Sequence, residues 1–169
     1  RGRQWHLDDF ADEEWLDFLI YQSGHGDGDQ TLAWTHSGPP SRAWQSPPYK
    51  PIINSEPNYE DHLAYQSGQP HSAYNIRRAS YWSLLAAPTA GVSYGAHGIW
   101  SWETEPGVPK DHDHSGEAKP WFEAINLPGS EHLNVAYEIF NSIDWWDLVP
   151  APAMLVAQPG ADDPAAFVS

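Results

Sequence analysis

Residues 50–60 read KPIINSEPNYE, and this stretch decides the fold prediction. The apolar run that ends at Asn54 has the length of a buried β-strand, and Pro51 suits its first position, where a missing N–H costs least. The strand leads into Glu56, and Pro57 restricts the backbone directly after it. The sequence therefore predicts a buried strand that carries a carboxylate at its carboxyl end.

Two further apolar runs are interpreted as strands, and helical patterns separate the three. Residues 15–21 run into the glycine-rich GHGDG, and residues 91–95 run into another polar segment. The predicted helices are 30–36 (ended by Gly38-Pro39-Pro40), a weaker patch at 41–46, 73–87 (Ser72 as N-cap, Pro88 closing it) and a final helix capped by Ser130. Strands that alternate with helices in this order indicate βαβ units and a parallel sheet.

The size of this α/β unit leaves two architectures open. Three βα units do not close a (β/α)8 barrel, which takes about 250 residues. The chain of 169 residues is therefore either an open three-stranded sheet or part of a larger barrel. We favour the part of a barrel, because both ends of the chain fall where no stable domain is expected to end.

Composition narrows the classes of function. The formal net charge is −15 at pH 7, so nucleic acids and anionic membranes are not expected partners, whereas neutral sugars are not repelled. No apolar run approaches the length of a membrane span. The chain contains 10 Trp and no Cys, which excludes disulfides and thiolate chemistry without fixing the compartment.

Polar and aromatic side chains lie at the ends of all three predicted strands. Functional residues of parallel α/β folds collect in the loops after the carboxyl ends of strands, so we expect these side chains to share one pocket. They are Gln22 and His25 at the first strand, Glu56, Asn58, Tyr59 and Glu60 at the second, and Tyr94, His97, Trp100 and Trp102 at the third.

Glu56 is the sharpest catalytic candidate. A retaining glycosidase needs a carboxylate held rigidly against the anomeric carbon as its nucleophile, and a strand end provides such a position. The alternative is structural: Glu56 caps a loop or pairs with Arg77 or Arg78. For Glu60, pairing with either arginine or exposure to solvent is favoured over catalysis.

Three other features have competing interpretations. Trp100 and Trp102, two residues apart along the predicted strand, either stack on a sugar ring or pack at the strand end. His25 and His97 either bond substrate hydroxyls or serve the structure. Residues 111–114 read DHDH, but neighbouring residues of a loop rarely converge on one ion, so we expect no metal site and no cofactor.

Four blocks of the sequence resemble the apiosidase-like glycoside hydrolases, a family once listed as a domain of unknown function. The blocks are WLDFLIYQSGHG, KPIINSEPNYE, IRRASYWSLLAAPTAGVSYGAHGIWSW and LPGSEHLNVAYEIFNSIDWWDLVP, in that order. The resemblance implies a (β/α)8 barrel followed by a small β-sandwich domain. Residues 1–149 would form the last three βα units of the barrel, and residues 150–169 a linker and the start of the β domain.

The resemblance also implies roles for individual residues. Glu56 would be the nucleophile that cleaves glycosidic bonds of plant-type polysaccharides, with the strand-end residues around the sugar and with Arg77 and Arg78 behind the carboxylates. The general acid/base of the family lies on the fourth strand, which is missing here, and only proximity recommends Glu103 or Glu105 as substitutes. The chain alone is therefore expected to be inactive. A secreted or periplasmic location is implied over a cytoplasmic one.

Three hypotheses about function follow. The chain is part of a retaining glycosidase that is completed by the missing N-terminal half of the barrel, or it is a non-catalytic sugar-binding module. The third hypothesis is a truncated product without a function, whose exposed apolar edges would favour self-association.

Overall fold

The computed structural model describes residues 3–5, 8–10, 12–87 and 89–169. A three-stranded sheet in the order β1-β2-β3 contains β1 (Leu19–Gln22), β2 (Ile52–Glu56) and β3 (Thr89–Val92). Both strand pairs are parallel, so the carboxyl ends of the strands lie along one edge. This arrangement confirms the predicted α/β fold, and β2 occupies the central position.

Five helices pack around or follow this sheet in the described residues. They are α1 (Asp29–Ser37), α2 (Pro39–Ala43), α3 (Ala73–Leu85), α4 (Trp121–Ala124) and α5 (Pro128–Asn141). The predictions of α1 and α3 are confirmed to within about two residues, and α2 begins where Pro39 occupies the first helical position, which its fixed φ favours. Pro88, predicted to close α3, lies outside the described residues.

Of the two N-cap predictions, the one for α3 is confirmed and the one for α5 is wrong. The Ser72 hydroxyl accepts the N–H of Asn75, whose side chain accepts the N–H of Ser72, so α3 starts with a reciprocal capping box. The prediction of Ser130 as the cap of α5 is wrong, because α5 starts earlier, at Pro128. The Ser130 hydroxyl instead donates to the carbonyl of Leu127, the actual N-cap residue.

The strand ends differ from the predictions in a way that matters for the site. The middle strand continues to Glu56 instead of ending at Asn54, since its pairing with β1 extends to Gln22 opposite Glu56. The third strand ends at Val92, and residues 97–102 form turns. The interpretation of Trp100 and Trp102 as neighbours on one face of a strand is therefore wrong.

The core lies between the sheet and the helices, and the end of the chain packs back on it. Leu19, Tyr21 and Ile52 are buried with Ala87 in one cluster. Residues 152–166 form three short 3-10 turns, after which the carbonyl of Phe167 accepts the indole N–H of Trp82. The assignment of residues 150–169 to a linker and the start of a β domain stays a prediction.

Candidate active site

Glu56 lies at the carboxyl end of the central strand, with donors on both carboxylate oxygens. Gln22, its register partner on β1, donates its side-chain N–H to Oε2. The Nε2 atom of His25 lies 3.5 Å from Oε1. The Glu56 side chain is 28% exposed and that of His25 is 5% exposed. The carboxylate is therefore held from the protein side and open on the other.

The loop after β1 brings His25 to Glu56 through the backbone. The register of β1 and β2 shifts between Tyr21 and Gln22, and the N–H groups of Ser23 and Gly24 then both donate to the carbonyl of Glu56 at 3.1 Å. Gly24 has a φ of 72°, which glycine adopts without steric cost. These bonds turn the chain so that the next residue, His25, faces the carboxylate.

The hydrogen bonds of His25 decide where its ring proton lies. Nδ1 accepts the backbone N–H of Tyr59 at 3.2 Å, so a neutral ring carries its proton on Nε2, the atom that faces Glu56. The ring of His62 stacks on His25 with centroids 4.1 Å apart and planes 19° apart. His25 is thus held in place with Nε2 turned toward Glu56.

Burial controls the ionisation of the groups around this pair. Burial, and next the charge of Glu56, raises the pKa of Tyr59 to about 12, so its phenol stays protonated. Burial lowers the pKa of His62 to about 3, His25 adds to this shift, and the hydrogen bond to Leu63 opposes it. Burial is also the largest cause of the lowered pKa values of His71 and His97. Tyr59, His62, His71 and His97 are therefore uncharged near pH 7.

The carboxylate opens into a cleft with a volume of about 1340 Å³. Its lining contains polar and acidic side chains, and no Lys or Arg occurs among the described residues that form it. The lining includes Gln4, Gln22, Glu56, residues 62–65, Gly68 and residues 111–115. Neutral ligands rich in hydroxyl groups match such a surface, because the carboxylates and histidines bond hydroxyls while anions are repelled.

Comparison with known families identifies the chain. The family model described as "Apiosidase-like, catalytic domain" matches residues 2–147. The chain belongs to the apiosidase-like family. The resemblance found in the four sequence blocks is thereby confirmed.

Solved structures of glycoside hydrolases are similar in fold to the apiosidase-like chain. A structure titled "Glycoside hydrolase" is 28% identical, has a TM-score of 0.73, and is matched over 88% of this chain and 36% of that chain. A glycoside hydrolase family 5 structure from Bacteroides vulgatus ATCC 8482 is similar in fold, with 24% sequence identity and a TM-score of 0.73. The match covers 89% of this chain and 34% of that chain. The chain thus spans about a third of the length of these structures. The curated proteins include no significant match.

Glu60 has a structural position in the apiosidase-like chain. Its buried carboxylate accepts the N–H of Gly129 at 3.0 and 2.9 Å and the hydroxyl of Tyr94 at 2.7 Å. Gly129 lies in the first turn of α5, where the exposed N–H groups of a helix favour an anion. Glu60 therefore ties β2, the segment after β3 and α5 together, and the Tyr94 hydroxyl faces it instead of the cleft.

The aromatic and imidazole candidates after β3 are also placed outside the lining of the cleft. His97 is buried, with Nδ1 accepting the indole N–H of Trp100 at 3.2 Å and Nε2 lying 2.9 Å from the Gly116 carbonyl. Trp102 is exposed and stacks on Trp121. The predicted convergence of strand-end residues is therefore seen at the first two strands, where Gln22, His25 and Tyr59 surround Glu56. The residues after the third strand lie outside the lining of the cleft.

Three further candidates face away from the cleft. Asn58 is buried and lines a narrow internal cavity beside α1 and α3. The arginines predicted to lie behind the carboxylates have other partners in the structure: Arg77 lies 3.2 Å from His132, and Arg78 donates to the carbonyl of Ala165 at 3.5 Å. Both guanidinium groups also lie over the ring of Tyr74 on their own helix.

Sequence reasoning missed His62, Tyr65 and the loop 111–115 as parts of the cleft. They lie in loops after β2 and β3, so the rule that loops at carboxyl strand ends build the site pointed to them, but no motif did. Among the described residues, no three or more His, Cys, Asp or Glu are arranged to hold a metal ion. None of the described helices is long and apolar enough to cross a membrane.

Proposed function

We propose that Glu56 is the nucleophile of a retaining glycoside hydrolase and that this chain contributes one of the two catalytic carboxyl groups. The observation that carries the proposal is the Glu56 carboxylate at the end of the central parallel strand, oriented by Gln22 and His25 and open to the cleft. Membership in a family of apiosidase-like catalytic domains supports the reaction class. A nucleophile needs this combination of a fixed position and one open side.

The polar side chains around Glu56 suit both halves of such a reaction. Glu56 attacks the anomeric carbon while an acid protonates the leaving oxygen, which gives a covalent glycosyl ester. Water then attacks the ester and Glu56 leaves as a carboxylate. The side-chain N–H of Gln22, which donates to Oε2, and the His25 Nε2 atom, 3.5 Å from Oε1, stabilise the departing carboxylate.

The second carboxyl group is proposed to come from chain outside these residues. A retaining enzyme holds its two carboxyl groups about 5–5.5 Å apart. Glu103 and Glu105 do not line the cleft, and Asp111 and Asp113 lie on an exposed loop at its rim. The chain alone is therefore proposed to be inactive, and the missing N-terminal part of a barrel is its expected complement.

The proposed substrate is a neutral plant-type oligosaccharide or polysaccharide, cleaved at O-glycosyl bonds. The supporting observation is the acidic, hydroxyl-binding lining of the cleft, which disfavours nucleic acid and other polyanions. A secreted or periplasmic location, where such polymers are met, is proposed with it.

The test uses the protein extended to the length of the matched structures, assayed on neutral aryl glycosides. Glu56→Gln keeps the side-chain volume but cannot attack, so kcat/KM is expected to fall by more than about 10³-fold. Glu56→Gly with added azide should recover turnover and release a glycosyl azide of inverted anomeric configuration, because azide occupies the vacated space. Glu131→Gln on the exposed surface of α5 is the matched control.

Two results would decide against this assignment. Activity of Glu56→Gln within tenfold of the parent would remove Glu56 from the mechanism. Oligosaccharide binding by the parent without any product would favour the non-catalytic sugar-binding module instead.

A further inference from the structure

An exposed aromatic surface lies outside the cleft. The rings of Trp102 and Trp121 stack with centroids 4.9 Å apart and planes 10° apart. Phe122 packs edge-on against Trp121 at 5.7 Å. Trp102 is 64% exposed and Phe122 is 49% exposed, and none of the three lines the cleft that holds Glu56. These three residues are called the Trp102 platform below.

The backbone holds Trp102 outward at a cost. Its φ of 55° lies in the left-handed region, which a bulky side chain rarely adopts. Hydrogen bonds on both sides fix this turn: Trp102 N–H donates to Ile99 at 3.1 Å, and Glu103 N–H donates to Gly98 at 3.0 Å. The carbonyl of Glu103 accepts the N–H of Trp121 at 2.7 Å, which sets the second ring beside the first. The strained backbone and the exposed indole both oppose folding of the described residues.

We propose that the Trp102 platform is a binding site for a neutral sugar ring of a polysaccharide, separate from the cleft. The C–H face of a pyranose ring is flat and weakly positive, and it stacks on the electron-rich face of an indole. Glu103 and Glu105 follow Trp102 in the chain, and we expect their carboxylates to accept hydrogen bonds from sugar hydroxyls. The net charge of −15 opposes anionic ligands at this surface.

The geometry favours a sugar over a cationic ligand. Sites for quaternary ammonium groups place aromatic rings around the cation as a cage. Trp102 and Trp121 are nearly parallel and present one flat face instead. The site would hold a polymer chain beside the cleft, and it does not depend on the role of Glu56.

The experiment measures binding of this chain to soluble polysaccharides by affinity electrophoresis, with hydroxyethylcellulose as the neutral probe and polygalacturonate as the anionic probe. Trp102→Ala is expected to weaken binding of the neutral probe by about tenfold or more, since a single exposed Trp often dominates such contacts. Trp102→Phe keeps a flat ring and should lose less. Trp146→Ala is the matched control, because Trp146 is also 64% exposed but stands at 75° to its neighbour Trp145.

Each other outcome would overturn the proposal. The proposal fails if the parent chain does not bind the neutral probe, or if Trp102→Ala and Trp146→Ala lose the same affinity for it. It also fails if the parent chain binds polygalacturonate more tightly than hydroxyethylcellulose. A change from oligomer to monomer in light scattering of Trp102→Ala would show that the platform contacts protein. An active Glu56→Gln enzyme would refute the proposed function and leave this binding result standing, so the two failures are distinguishable.

Discussion

Replacing Tyr94 by Phe removes one oxygen atom and one hydrogen bond to a buried carboxylate. The Tyr94 hydroxyl donates to Oε2 of Glu60 at 2.7 Å, and the other bonds of that carboxylate come from the N–H of Gly129. Burial, and next the hydrogen bond to Glu60, raises the pKa of Tyr94, so the phenol remains a donor near neutral pH. The substitution therefore leaves the charge of Glu60 buried with one donor group fewer.

The expected loss follows from the kind of bond removed. A hydrogen bond to a charged group contributes about 1.5–3 kcal/mol, and the hydroxyl leaves only a small void. The free energy of unfolding of Tyr94→Phe should fall by about 1.5–3 kcal/mol, which corresponds to a decrease in Tm of about 3–12 °C for a chain of this length. Urea unfolding followed by far-UV circular dichroism measures this difference.

The matched control is Tyr137→Phe. Tyr137 is 71% exposed on α5, so loss of its hydroxyl should change the free energy of unfolding by less than about 0.5 kcal/mol. A loss below about 0.5 kcal/mol in Tyr94→Phe would refute the claim that Glu60 depends on Tyr94. A large loss of sugar affinity with unchanged stability would restore the sequence-based prediction that Tyr94 contacts substrate.

Further predictions concern the glycines beside the site and the buried histidines. Gly129→Ala places a Cβ 2.3 Å from Oε2 of Glu60, so the Glu60 carboxylate or α5 must shift, and urea unfolding should show a loss of about 1–3 kcal/mol. Gly95→Ala places a Cβ 2.0 Å from the ring of Tyr59, and the displaced ring should lower sugar affinity together with stability. The pKa of His62 is near 3 in the fold and near 6.5 when unfolded, so the unfolded state binds the proton first as the pH falls below about 6.5. The free energy of unfolding should therefore decrease by up to about 1.4 kcal/mol for each pH unit below about 6.5. Urea titrations at pH 7.5, 6 and 5 measure this decrease.

These predictions have controls of the same chemistry. Gly107→Ala adds a methyl group where no atom lies within 4 Å, so it should unfold like the parent; a similar loss in Gly107→Ala and Gly129→Ala would rule out the steric explanation. His114→Asn removes an exposed histidine and should leave the pH dependence unchanged. His62→Asn should reduce the slope below pH 6.5, and an unchanged slope would mean that His62 is not the group that titrates.

The elements of the fold followed from local patterns. Apolar runs of strand length, the capping serine of α3 and the proline at the start of β2 act within a few residues, so they can be recognised in the sequence alone. The placement of Glu56 at a strand end was also local, and β2 continues to that residue. The wrong assignment of Ser130 came from two competing local signals, because Pro128 fills the first helical position that Ser130 would have preceded.

The partners of the polar side chains could not be predicted in this way. Tyr94 and Glu60 are separated by 34 residues in sequence, and Arg77 and His132 by 55, so only the packing of distant elements brings them together. The same strand-end rule selected Tyr59, which lies against His25, and Asn58, which faces an internal cavity. The direction in which a side chain points after the end of a strand depends on the conformation of the loop, and this conformation differs from one loop to the next.

By itself, the sequence of this apiosidase-like chain determined three parallel strands, their helices and a carboxylate at the end of the second strand, because periodicity and turn residues act over short distances. Only the tertiary structure decided that Gln22 and His25 hold that carboxylate, that Glu60 anchors α5, and that Trp102 lies outside the cleft. The physical reason is that hydrogen-bond partners and exposure are properties of elements packed together, and the same residue type in the same loop meets different neighbours in different packings.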